Sequence, residues 1–146
     1  MLTSPIIVDT AEQAPWHFSP GVRVLSRTLM TGDYSIEGFE QIITVERKSL
    51  PDLVKTVVTD WQRFSRQLRR MSAMDLAIIV CEAPVTALMD KQYVSDINPL
   101  SVRGKLNAIL CDFGVSTVFL DNRQIASQWV ENLFMLFLER KVGKKK

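Results

Sequence analysis

Apolar positions come in short strand-like runs over the first third of the chain and at helical spacing over much of the rest. Ile6-Ile7-Val8 is an apolar run closed by Asp9, which predicts a buried strand. A polar, proline-containing stretch from Ala11 to Gly21 reads as a loop. Val22 to Met30 is expected as a second strand, Thr31-Gly32-Asp33 as a turn or bulge, and Tyr34 to Ile36 as its resumption. Gly38-Phe39 closes a hairpin into Gln41 to Lys48, where Ile42, Ile43, Thr44 and Val45 are strongly β-prone.

From Leu53 to Met71 the period changes. Leu53, Val54, Val57, Trp61, Phe64, Leu68 and Met71 line one face of a single expected helix. Ser49 and Asp52 precede it in capping-box spacing, with Pro51 suited to the first turn. Leu76 to Cys81 has strand length, and Pro84 to Met89 suits a short helical turn. Pro99 to Phe113 predicts a helix ended by Gly114, Val115 to Leu120 a buried strand, and Gln124 to Lys141 the last helix. The first half reads as an antiparallel meander and the second as strand–helix–strand crossovers. The expected architecture is α/β, a mixed β-sheet flanked by helices, in a single domain over residues 1–141. Residues 142–146 read as a basic tail without order.

Composition narrows the chemistry more than the fold. A chain of 146 residues, 47% hydrophobic and 23% charged, is ordinary for one globular domain. The apolar runs Leu76–Cys81 and Leu133–Leu138 fall far short of the ~20 residues that span a bilayer, so no membrane partner is expected. Residues 1–9 have neither the basic start nor the apolar core of a signal peptide. An intracellular location is expected, cytoplasm in a prokaryote or nucleus in a eukaryote. Cys81 and Cys111, each alone in apolar surroundings, read as buried free thiols. With one His and no CxxC, structural zinc is excluded, and a catalytic triad would have to rest on His17 in a Pro-rich loop. Any chemistry falls to carboxylates, lysine and a hard metal ion.

Carboxylates stand where that chemistry could occur. Asp9 closes an apolar strand, Asp33 interrupts another, and Glu46 directly follows Ile42-Ile43-Thr44-Val45. On a strand, Glu46 and Lys48 share one face and Arg47 takes the other. If the strands are neighbours, Asp9, Asp33 and Glu46 converge, and a divalent cation relieves their repulsion. An all-oxygen site favours Mg²⁺ or Mn²⁺. With Lys48 beside the metal, these parts suit hydrolysis of a phosphodiester. Singly, each residue has a plainer account: Asp33 as a turn residue, Asp52 as a helix-start residue. The joint arrangement does not.

Taken together, Val8-Asp9-Thr10-Ala11-Glu12, Gly32-Asp33-Tyr34 and Glu46-Arg47-Lys48-Ser49-Leu50-Pro51-Asp52 resemble the XPF-type structure-specific endonucleases. That family carries V-D-x-R-E, G-D and E-R-K-x-x-x-D in this order, and Arg63-Phe64 with Gln67 matches its R-F-x-x-Q pattern. The resemblance implies a restriction-endonuclease-like core that cuts DNA with Mg²⁺ or Mn²⁺, with branched, flap or nicked DNA as candidate substrates. It implies metal ligation by Asp33 and Glu46 with Asp9 contributing, a catalytic Lys48, and a signature completed by Arg47 and Asp52. Arg63 and Gln67 would support the site or the DNA backbone. Ala11 stands where the family has Arg, which removes a fork that could hold a phosphate or orient Glu12. The closely spaced glycines of helix-hairpin-helix modules do not occur in this chain.

Two further patterns point to partners. Lys55, Arg63, Arg66, Arg69 and Arg70 make the helix after the motif basic, and Arg63, Arg66, Gln67 and Arg70 are the expected DNA contacts. The final helix, residues 124–141, carries more than one apolar stripe, which fits either a deeply buried core helix or a homodimer interface. The net charge of +2 hides −3 over residues 1–52 and +5 over residues 53–146. Metal-dependent DNA cleavage is thus the leading expectation. A non-catalytic DNA-binding or scaffolding subunit with the same fold is the main alternative, and hydrolysis of another phosphodiester a weaker one.

Overall fold

The structure, a computed structural model, describes residues 2–143. Its strands are β1 (Ile6–Asp9), β2 (Val24–Arg27), β3 (Tyr34–Ile36), β4 (Ile43–Lys48), β5 (Leu76–Cys81) and β6 (Ser116–Phe119). Its helices are α1 (Leu50–Val58), α2 (Trp61–Ser72), α3 (Val85–Met89), α4 (Pro99–Phe113) and α5 (Arg123–Gly143). The strands form one mixed sheet in the order β2-β1-β3-β4-β5-β6. Only β3 is antiparallel to its neighbours. The ends of β1, β4 and β5 and the start of β3 therefore meet at one edge of the sheet.

Alternation along the strands divides the core into two layers. Ala77, Ile79 and Cys81 of β5 pack under α1, α2, α3 and α4. Ile43 and Val45 of β4 with Ile78 and Val80 of β5 pack on the opposite face, against α5 and Trp16. α5 buries Ala126, Val130, Phe134 and Leu138, one residue per turn.

Several sequence expectations change. β2 is not part of a meander: it lies parallel to β1 at the sheet edge, and β1 pairs antiparallel with β3. β2 is mostly exposed, so neither face carries an alternation signal. The helix expected over residues 53–71 is two helices. Thr59 ends α1 by donating both its amide and its hydroxyl to the Lys55 carbonyl, at 2.8 and 2.9 Å. Apolar spacing continues across the break, so periodicity alone does not reveal it. Cys111 is exposed on α4, whereas Cys81 is buried. Helix α5 extends to Gly143, taking in Val142, and Lys144 to Lys146 of the expected tail lie outside the described residues. No helix of the described residues is long and apolar enough to cross a membrane.

The bend before β3 permits only glycine at one position. Gly32 has φ +82°, and a Cβ there would lie 1.9 Å from Thr44 Oγ1 and 3.2 Å from the Val45 carbonyl oxygen. Gly32→Ala is expected to destabilise the fold by about 2–4 kcal/mol through combined backbone strain and overpacking. Urea unfolding measures this, and a change below about 0.5 kcal/mol, the level of a neutral surface substitution, would contradict the packing account.

Candidate active site at the end of the central strand

The last three residues of β4 divide between the two faces of the sheet. Glu46, with only 8% of its surface exposed, points toward α2. Its Oε1 accepts from Gln67 Nε2 at 2.8 Å, and its Oε2 lies 3.2 Å from Lys48 Nζ. Lys48 rests over the Phe64 ring at 5.6 Å. The amphipathic pattern of α2 thus does two things. Its apolar stripe seats the helix, and the adjacent Gln67 orients the buried carboxylate.

Asp33 is pinned to the same strand twice. Its amide donates to the Val45 carbonyl at 2.8 Å, and its Oδ2 accepts from the Arg47 amide at 2.7 Å. Its Oδ1 accepts no hydrogen bond among the described residues. Burial and the charge of Glu46 push the Asp33 carboxyl up from 3.8 to about 7. Glu12 adds to the rise, while the Arg47 amide and Lys48 oppose it.

Arg47 faces away from Glu46. Its Nη1 donates to Glu12 Oε1 at 2.9 Å, and its Nε donates to Glu82 Oε1. Burial alone would weaken its protonation, but the hydrogen bonds and charges of Glu82 and Glu12 outweigh burial and hold it more firmly charged.

The remaining sequence-derived residues fall into three groups. Gln67 and Arg63 join Glu46, Lys48, Thr56, Asp60 and Phe64 around a polar cleft of about 170 Å³. Arg66 is exposed and makes no salt bridge among the described residues, while Arg70 Nε donates to Thr31 Oγ1 at 2.8 Å, bracing the bend before Asp33. Asp9 and Asp52, like Asp33, do not line the cleft. The Asp9 amide bonds the Asp33 carbonyl at 2.9 Å, but its carboxylate accepts from the amides of Leu29 (2.8 Å) and Ala11 (3.1 Å). Asp52 is exposed in the first turn of α1, where its amide donates to the Ser49 hydroxyl at 3.2 Å. Glu82, Thr56 and Asp60 carry no motif signal of their own. Glu82 was nonetheless findable, because it continues the Ile78, Val80 parity onto the Arg47 face.

Among the described residues, no three His, Cys, Asp or Glu side chains form a ready-made metal cluster. Asp33 and Glu46 alone still fit a hard cation. Mg²⁺ commonly takes one or two carboxylates and completes its shell with water and phosphate oxygens.

A mixed six-stranded sheet flanked by helices is the restriction-endonuclease-like fold. Within that class, the model of the ERCC4 domain family matches residues 8–133, and the chain belongs to this family. The chain is structurally similar to XPF from Aeropyrum pernix, with a TM-score of 0.72 at 23% identity over 97% of this chain and 68% of that one. A second structure, XPF from Aeropyrum pernix in complex with DNA, gives a TM-score of 0.72 at 23% identity, covering 94% of this chain and 66% of that one. No curated protein matches. The XPF-type resemblance of the motifs and the expected fold are both borne out.

The raised Asp33 has a consequence for stability in the absence of metal. Between about 4 and about 7 the folded chain keeps a proton that the unfolded chain has released. Stability therefore falls as pH rises through that window and levels off above it. Asp33→Asn is expected to blunt this fall and to stabilise the metal-free chain at pH 8 by ~1 kcal/mol or more. Urea unfolding in EDTA across the window is the measurement, and identical slopes for the two proteins would refute the assignment.

Proposed function

We propose that this chain is a divalent-metal-dependent DNA endonuclease that hydrolyses phosphodiester bonds. The observation that carries the reading is the pairing of Glu46 with Lys48 in a cleft walled by Arg63, with the buried Asp33 carboxyl close enough to feel both charges. With Asp33 ionised, the cleft side sets the two carboxylates Asp33 and Glu46 against the single cation Lys48, while Glu12 and Glu82 hold Arg47 on the opposite face. The uncompensated carboxylate charge beside Lys48 favours a cation there. Asp33 and Glu46 would hold it. When bound, such an ion polarises a phosphoryl oxygen and makes water a stronger nucleophile near neutral pH.

The chain's own groups do the rest. Gln67 keeps one Glu46 oxygen fixed, leaving the other oriented toward Lys48. Lys48 places a positive charge where negative charge develops on the phosphate during cleavage. Arg63 on the cleft wall and the exposed Arg66 offer phosphate contacts along α2. The DNA complex of a structurally similar XPF supports DNA as the substrate class. Asp9 and Asp52 enter as supports of the site: Asp9 ties two backbone segments beside Asp33, and Asp52 belongs to the cap that starts α1.

Incubation with flap, fork, nicked and linear duplexes in Mg²⁺ or Mn²⁺ is expected to give metal-dependent cleavage that EDTA abolishes. Asp33→Ala and Glu46→Ala are each expected to lose roughly 10²-fold or more in rate. Metal-independent cutting, or variants as active as the parent, would refute the proposal. DNA binding without cleavage would instead favour a scaffolding subunit, the reading that Ala11 in place of the family arginine supports.

The same proposal includes a homodimer through α5. Its outer face leaves Ile125 and Leu136 exposed, with Trp129 at 56%. An apolar stripe of this length on a surface helix calls for cover. Sedimentation is expected to give a dimer that Trp129→Glu converts to monomer. A parent chain that stays monomeric at high concentration overturns this part of the reading.

A further inference from the structure

Arg47 sits between two residues of the cleft yet does not face it. Its guanidinium is gripped on one side by Glu12 and on the other by Glu82. Both carboxylates leave only 9% of their side-chain surface exposed, and Arg47 only 21%. One carboxylate would neutralise the arginine. A second, equally buried, adds an excess negative charge that is costly in a low-dielectric setting. Charge balance alone therefore does not account for the pair, but geometry does.

The backbone shows what the geometry secures. Glu82 grips consecutive residues of β4: its side chain holds Arg47, and its amide donates to the Lys48 carbonyl at 2.9 Å. The Arg47 amide in turn holds Asp33 Oδ2 at 2.7 Å. Glu12 ties the same guanidinium to the segment after β1, its own amide bonded to the Asp9 carbonyl at 3.0 Å. The bend at Asp33, the segment after β1 and the end of β5 are thus all tied to β4 through Arg47.

We infer that Glu82, acting with Glu12 through Arg47, is a positioning residue that fixes Glu46 and Lys48 from the opposite face of the sheet. Arg47 is the strut between them and contacts no phosphate. This rests on the nuclease reading of the same site and assigns work to a residue outside the signature motif. Displacement of a reacting group by about 1 Å costs on the order of 10²-fold in rate. Residues that orient such groups from behind typically matter at the 10–100-fold level.

The test measures cleavage kinetics, metal-free DNA affinity and amide exchange for Glu82→Ala, Glu82→Gln and Arg47→Lys. Glu82→Ala is expected to lower kcat roughly 10–100-fold with KM and DNA affinity within about twofold. Glu82→Gln keeps an acceptor for Arg47 Nε and should recover most of that loss. Arg47→Lys keeps the charge without the two-sided grip and should fall with Glu82→Ala. If Glu82→Ala fails to fold, the other two variants carry the comparison. Parent-like kcat in folded Glu82→Ala or Arg47→Lys overturns the inference. So does a loss confined to KM or DNA affinity, which would make Arg47 a phosphate ligand. Exchange of the Arg47 amide, measured without metal or DNA, is expected to quicken about tenfold or more in Glu82→Ala. Unchanged exchange counts against the strut even if the parent cleaves no DNA, so the two readings fail separately.

Discussion

The junction between the bend at Gly32-Asp33 and strand β4 is the constraint on which the rest of the site depends. Gly32 is pressed so closely on Thr44 that no side chain fits, and Asp33 is bonded to β4 through both its amide and its carboxylate. These contacts hold a buried carboxyl beside Glu46, where the two repel. A fold selected only for stability would separate them, since an unfavourable buried pair survives only where surrounding structure over-determines it. Here Arg70 braces Thr31 from α2, and the Thr44 hydroxyl donates to the Thr31 carbonyl at 2.8 Å. The bend cannot relax outward without breaking both.

The two faces of the sheet divide the work. The α2 face carries Glu46, Lys48 and Gln67, together with the cleft. The α5 face carries support. The segment between β1 and β2 crosses that face, where Trp16 stacks on Tyr34 at 4.4 Å and helps to close the layer as a helix would. The Trp16 amide donates to the Tyr34 hydroxyl at 2.8 Å. From α5, Arg123 bonds the carbonyls of Ala14 and Pro15, and Glu131 accepts from the amide and hydroxyl of Ser19. The same segment supplies Glu12 to Arg47. A helix with an uncovered apolar stripe is therefore tied, through one ordered loop, to the strut behind the cleft.

How much of this was legible in the sequence differs by element. β1, β4, β5, α4 and their neighbours follow from apolar runs and caps, and Gly114 ends α4 with φ +69° as its position predicts. Glu46 and Lys48 on one face and Arg47 on the other follow from the strand period alone. What the sequence did not carry is pairing. The edge strand β2 is exposed and has no alternation to fix its register or its partner, so a parallel neighbour looked like the arm of a meander. The break between α1 and α2 rests on Thr59 and the Lys55 carbonyl, a local competition that leaves the apolar period intact. Asp9 and Asp33 do end up adjacent through their backbones. Whether their carboxylates converge depends on side-chain partners, and Asp9 finds two amides of its own.

The placement of charge follows from these packing facts. The chain's small net charge arises from an acidic first third and a basic remainder. At the site that division becomes spatial. The strand period puts Arg47 on the α5 face, where Glu12 and Glu82 hold it, so it does not neutralise Glu46. Lys48 remains the cation beside Glu46, and Asp33 has only a backbone amide. Had Arg47 faced the cleft, its charge would have compensated the carboxylates there. Turning it away leaves the Asp33–Glu46 pair under-compensated, while the cations along α2 stay available to phosphate. The two carboxylates behind the sheet thus hold Arg47 where the strand places it, away from the cleft.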